Sequence, residues 1–462
     1  MKIRNAANNA WITIGTLADA NLGLLSLAGG TLTGALLVDD SGTAALPAIA
    51  FDGDPDSGIF RGGANEFGIA TNGVERVEFG TSEVVFNDGG ANYDFRIEGD
   101  TNASLFKIDA GLDQVQVANL NGGPLAGTRN RIINGDMRID QRNAGASVTS
   151  AGPIYTVDRW SWYYTSGSGH TIQQNTDAPT GFSNSLKVTI GTGASPSADH
   201  QNIIWQPIEG YNVADFGFGA AGASTITFSF WVKSSLAGTF NVWLHNSGDD
   251  RSYVSTYTIS AANAWEQKTV TVVGDTSGTW LKTNGKGLLV GFSLGCGSNF
   301  NATANTWSAA DYKSTSGATS VVGTSGATFY ITGVQLEPGS TATPFERRSY
   351  GQELALCQRY YQKSYQQDTK PGAVTGIGSY WFSLGGSYFG RIAITNNFSV
   401  VMRTLPSVVL YDWSGNANRV RTSGGDNQSG FVIQQATDRL ITVDYGAGIT
   451  ELLYQYTASS EL

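Results

Sequence analysis

The feature that most constrains this chain is a strict two-residue alternation of apolar and polar side chains. Thr225-Ile-Thr-Phe-Ser-Phe-Trp-Val-Lys233 puts Ile226, Phe228, Phe230 and Val232 on one side, and Thr227, Ser229 and Trp231 on the other. Successive side chains of a strand point to opposite faces, so such a segment has one dry face and one wet face. Phe240-Asn-Val-Trp-Leu-His245 repeats the pattern, with Phe240, Val242 and Leu244 inward and Trp243 and His245 outward. Further strands are expected at Ser185–Ile190, Lys268–Val273, Leu288–Leu294 and Thr328–Leu336. Many strands at regular spacing between Arg129 and Arg348 argue a two-sheet sandwich or jelly roll.

Composition extends the all-β reading to the whole chain. Its 462 residues hold 21 Phe, 11 Trp and 19 Tyr, with 59 Gly to serve turns between short strands. That length suggests about three domains. The net charge of −10 provides no cationic footprint for nucleic acid or an anionic membrane surface. It suits a neutral or zwitterionic glycan, or a protein. No apolar run approaches a membrane span, and Met1–Gly15 lacks the apolar core of a signal peptide. Cys296 and Cys357 are far apart without CxxC or His spacing, and read as two free thiols.

Around the sandwich, residues 1–45 are low in charge and read as a segment that docks onto something larger, with a turn-rich connector at Leu27–Gly34. Residues 46–128 carry short alternating strands, such as Tyr93-Asp-Phe-Arg-Ile-Glu98, Phe106–Asp109 and Val115–Val117, joined by Asp-Gly, Gly-Asp and Gly-Gly turns. Small hairpins bury little apolar area per chain and leave sheet edges open. Intertwining with identical chains, three around an axis, is the expected solution. After the sandwich (129–348), a connector (349–370) holds the one expected helix, Gln352–Tyr365, with Leu354, Cys357 and Tyr361 on one stripe. Residues 371–462 are β again, with strands at Gly378–Leu384, Ser407–Asp412, Gly430–Gln435, Leu440–Tyr445 and Glu451–Thr457.

Phe51-Asp-Gly-Asp-Pro-Asp-Ser-Gly-Ile-Phe-Arg61 with Ala70-Thr-Asn-Gly-Val-Glu-Arg-Val77 resembles the shaft module of bacteriophage tail fibres. Arg131-Ile-Ile-Asn-Gly-Asp-Met137 with Tyr155-Thr-Val-Asp-Arg-Trp160 resembles the opening of a carbohydrate-binding-module-like jelly roll common in such fibres. The close of that module resembles Phe329–Gly339, Pro344–Arg347 and Leu356–Tyr361. The resemblance implies an elongated homotrimeric fibre: a small intertwined β shaft, a jelly-roll domain, one short helix and a distal β-sandwich tip. It implies N-terminal attachment to a virion tail, baseplate or adaptor protein, assembly in the host cytoplasm, and contact with a host surface polysaccharide or outer-membrane receptor. No enzymatic activity, nucleic-acid partner or membrane insertion is expected. The alternatives are a tailspike-type glycan depolymerase and a purely structural head or tail fibre.

Two groups of aromatics are candidate glycan contacts, because the apolar face of a pyranose stacks on an aromatic ring while polar neighbours bind its hydroxyls. One is Trp231, Trp243 and His245 on the outward faces of the central strands; these side chains could equally pack under a loop or against the next chain. The other is the tip, with Tyr380, Trp381, Tyr388, Tyr411 and Trp413, where Asp412-Trp-Ser-Gly-Asn416 reads as an exposed turn. The tip is favoured over the sandwich face. The resemblance also places Asp136 and Glu337 near a structural calcium; read alone, they are a surface acid and a turn acid. No other cofactor is expected. Asp136 with Asp140, or Asp249 with Asp250, are the pairs that glycoside hydrolysis would need, and nothing in the sequence sets either pair in a cleft. The three His residues lie in no HExxH motif, and no GxSxG is present.

Overall fold

The computed structural model describes residues 2–4, 11–13, 37–38, 41–100, 106–111, 114–117, 128–383, 392–446 and 448–462. The connector at 27–34 and Tyr388 lie outside them. The chain divides into two compact units, Met1–Ala118 and Asn119–Leu462.

The first unit is built of meanders. Ile49–Phe51, Asp54–Gly63, Glu66–Thr71, Val74–Phe79 and Val84–Phe86 pair antiparallel in chain order, as do Phe95–Ile97, Phe106–Asp109 and Gln114–Val117. Asn72-Gly73 turns one hairpin with both residues at positive φ, the type I′ geometry that matches strand twist. Of its described apolar side chains only Phe60 and Ala70 are buried; Phe51, Phe86 and Val115 are 71%, 52% and 64% exposed. The strand expected over 93–98 is confined to Phe95–Ile97, and its apolar face is not dry. Tyr93 and Ile97 are exposed, because no second layer of the same chain covers them.

The second unit begins with the sandwich. Its seven-stranded sheet runs Ile154–Tyr155, Ser161–Tyr164, Asn202–Glu209, Lys286–Ser293, Gly238–His245, Ser252–Ile259, Trp307–Ser308. The five-stranded sheet runs Thr171–Asn175, Ser185–Thr189, Thr328–Pro338, Ile226–Ser234, Glu266–Val272. Every pairing is antiparallel, and non-consecutive neighbours give a jelly-roll-like sandwich rather than a meander. Ile226, Phe228, Phe230 and Val232 meet Phe240, Val242 and Leu244 in one core, where Phe230 and Phe292 pack edge to face at 4.9 Å.

The motif residues at its opening are structural. Asn134, at positive φ and fully buried, donates to the carbonyls of Ile139 and Asp158, and its own carbonyl accepts from the Trp160 indole at 3.1 Å. The helix spans Tyr350–Gln358, opened by a reciprocal Ser349–Gln352 capping box. It stops short of the expected Tyr365 because Tyr361–Lys363 instead pairs as a strand with Thr457–Ser459. Cys357 packs with Ile133, Ile139, Tyr360 and Leu462, so the helix joins the sandwich to the C-terminal β layers. There Glu451–Ser459 pairs with Tyr361–Lys363, Tyr380–Ser383, Ser407–Tyr411 and Val420–Thr422. A second sheet, Ile392–Asn397, Leu440–Tyr445 and Phe431–Ala436, packs over Leu410, Leu452, Tyr454 and Tyr456. Both cysteines are free thiols, and burial pushes each thiol up from its ordinary value.

Candidate functional site

The outer face of the five-stranded sheet carries a run of aromatic rings. Trp231 lies opposite Thr332 on one neighbouring strand and Gln267 on the other. The register slips beside it, between Ser229 and Trp231, and the partner strand answers with Gly333 at φ +58°. A Cβ at Gly333 would sit 2.7 Å from the Phe182 ring and 3.0 Å from the Trp231 indole. Glycine therefore lets both rings close over the bulge. Phe182 in turn meets Phe345 edge on at 5.2 Å, and the Arg347 guanidinium lies 4.7 Å over the Phe182 ring.

Towards the other end, Tyr330 forms the floor. The Lys233 ammonium is 4.3 Å and the Lys187 ammonium 5.4 Å from its ring centre. Trp265 stands edge to face with Tyr330 at 6.0 Å, and its indole N–H donates to Asp177 Oδ1 at 3.1 Å. Asp177 also pairs with Lys233, whose hydrogen bond holds the carboxyl below its usual range. Trp231, Trp265 and Phe182 are each half-buried, so each ring is anchored along one side and open along another. With Gln173, Gln267 and Asn184 nearby, the face offers flat apolar surfaces bordered by hydrogen-bonding groups.

Of the three sandwich residues singled out from sequence, only Trp231 is here. Trp243 and His245 do point away from the core, as alternation requires, but they are not exposed: Trp243 is 1% and His245 0% exposed. Residues 296–315 cover that face, through Thr315 N donating to Asn241 Oδ1 and through the packing of Cys296, Ala302 and Tyr312 on Trp243. Gly291, on the adjacent strand, makes room for the Trp243 ring. His245 Nε2 lies 2.7 Å from the Tyr312 carbonyl, and Nδ1 faces Asp249 at 3.3 Å and Asp311 at 3.1 Å.

In the C-terminal layers, Trp413 is half-buried rather than free on a turn. Its indole donates to Ser379 Oγ at 2.8 Å, its ring packs on Gly376, and the Arg421 guanidinium lies 4.6 Å above it. The turn itself is held by the fully buried Asp412, which accepts from Asn416 N, Asn416 Nδ2 and Asn427 N. Tyr411 is half-buried, edge on to Tyr365. Among the described residues of this group, Trp381 alone is open, at 67% exposed.

Asp136 and Glu337 are both buried, against the surface and turn positions read from sequence. Asp136 pairs with Arg138. Glu337 accepts from Thr343 N at 2.8 Å, Thr343 Oγ1 at 2.6 Å and Gln335 Nε2 at 2.8 Å, which fills three of its roughly four acceptor positions, whereas Asp136 Oδ1 is buried with no hydrogen-bond partner among the described residues. Among the described residues the three ligand atoms near enough to share an ion are those of His245, Asp249 and Asp311. The proposed hydrolytic pairs are similarly engaged: Asp140 is buried and pushed up by that burial while caging two backbone amides, and Asp249 is held low by His245.

Sequence reasoning missed Phe182, Trp265, Tyr330 and Arg347. Tyr330 and Thr332 alternate with Phe329 and Ile331, so the pattern that placed Trp231 outward also places them; Trp265 sits just before strand Glu266–Val272, where no period marks it.

No known family profile matches the chain, and no curated protein does. Among solved structures, a putative sugar binding protein from Bacteroides thetaiotaomicron is 12% identical over 46% of this chain and all of its own, with a TM-score of 0.28. A structure described as CBM4 is 15% identical over 44% of this chain and 97% of its own, at 0.24. The enzymatically active domain of tailspike protein 4 from bacteriophage CBA120 is 13% identical over 46% of this chain and 24% of its own, also at 0.24. Likeness at this level leaves the functional reading to the chain's own residues.

Proposed function

We propose that this chain is a bacteriophage tail-fibre protein that binds a host-surface glycan without cleaving it. The carrying observation is the row of half-buried rings, Phe182, Trp231 and Trp265, on the outer face of the five-stranded sheet. A sugar ring stacks on such a platform, and polar neighbours fix its hydroxyls. Trp381 is a second, smaller contact point. The uncovered apolar side chains of the first unit support a homotrimer, in which three copies cover one another's Phe51, Phe67 and Phe86. Three sites per fibre then convert weak contacts into firm adsorption outside the cell, with the N-terminal segment held by a virion protein.

An array of bacterial surface polysaccharides tests the reading. Full-length protein should be retained on a subset of them, with no reducing ends released on prolonged incubation, and should sediment at three times the chain mass. Sustained release of reducing ends would make it a depolymerase instead, and a monomer in solution would remove the fibre architecture.

A further inference from the structure

Two cations on this face have no carboxylate partner. Lys233 is neutralised by Asp177. Lys187 forms no ion pair among the described residues; Asp177 feels its charge only at longer range, and its ammonium sits beside the Tyr330 ring. Arg347 forms no ion pair among them either. It is exposed and lies over Phe182 and Phe345, at 4.7 and 5.7 Å from their centres, and its N–H donors make no hydrogen bond among the described residues. A guanidinium's planar fork matches a carboxylate in bidentate fashion.

The two are spaced along the aromatic run. Lys187 is level with Tyr330, while Phe182, which Arg347 covers, touches Gly333 three residues further along the same strand. At strand rise that separation is about 10 Å, and Trp231 stands one strand over, opposite Thr332. The chain as a whole is acidic, at −10. Screening confines that repulsion to about 8 Å at physiological salt, so the local charge of the face decides what it accepts.

We infer that the five-stranded face takes an acidic glycan, one bearing hexuronate or similar carboxylates, with Arg347 gripping one carboxylate and Lys187 attracting another. This rests on the reading of the face as a glycan site and names the class of sugar. The test uses full-length protein on immobilised oligogalacturonate, oligoglucuronate and alginate oligosaccharides, each beside its methyl ester, in which the backbone is kept and the charge removed. At least one acid should bind about tenfold more tightly than its ester. Lys187→Gln and Arg347→Gln should each lower acid binding toward the ester level, with Arg347→Lys in between because it keeps charge and loses the fork. Both side chains lie on the surface, and unchanged melting temperatures exclude misfolding. Esters bound as tightly as acids, with Trp231→Ala still weakening binding, would overturn the acidic class and leave the glycan site standing. No saccharide retained by the parent protein would remove both.

Discussion

The two outer faces of the sandwich start from the same pattern and end differently. On each, a central strand alternates so that a tryptophan points away from the core: Trp231 on the five-stranded sheet, Trp243 on the seven-stranded one. Trp243 is then covered by residues 296–315 and becomes a second, small core with Ile203, Val254 and Leu289. Trp231 keeps an open side, propped by Phe182 over the Gly333 bulge. Alternation fixes which way a side chain points; whether solvent is there depends on what else folds over it.

Three substitutions can break that comparison, in descending size of effect. Trp243→Ala should cost about 3–5 kcal/mol, the range for emptying a packed aromatic site, and appear as a large fall in melting temperature. A small shift would mean the seven-stranded face is open too. Gly333→Ala should cost about 1–3 kcal/mol, since it puts a Cβ at positive φ against two rings. It should also weaken glycan retention, because Phe182 and Trp231 must part. Asp177→Asn should cost about 1–2 kcal/mol, because it leaves the buried Lys233 ammonium without its counter-charge although Asp177 itself is half exposed, and should shift Trp265 emission by removing the negative charge beside its indole N–H. The same contact sets a pH dependence. Its folded carboxyl titrates below its ordinary value, so the stabilisation is present above that ordinary value and is lost as pH falls through the lower folded one. Trp265 fluorescence across that acidic window should follow the loss, and the Asp177→Asn variant should show none.

Much of the sandwich was legible because its strands are long and half-buried. Ser185–Thr189 and Thr328–Pro338 differ from the expected strands only at their ends. The helix was drawn too long because Leu354, Cys357 and Tyr361 fit one stripe, while Tyr361 is claimed by a strand partner nearly a hundred residues away. The site was half legible. Trp231 was found from its own strand, but the loop that hides Trp243 and the segment that supplies Trp265 are set by contacts distant in sequence. Trp413 misled for a related reason: Ser-Gly and Asn mark a turn correctly, yet Gly376 and Ser379 pack beneath it.

The central claim, that the open aromatic face and not the covered one holds a glycan, is tested most directly by Trp231→Ala in the full-length chain on the polysaccharide array. Loss of a stacking ring should weaken retention by about tenfold, with stability nearly unchanged. Retention equal to that of the parent protein, or its loss only when Trp381 is replaced, would contradict the account and move the site to the C-terminal layers.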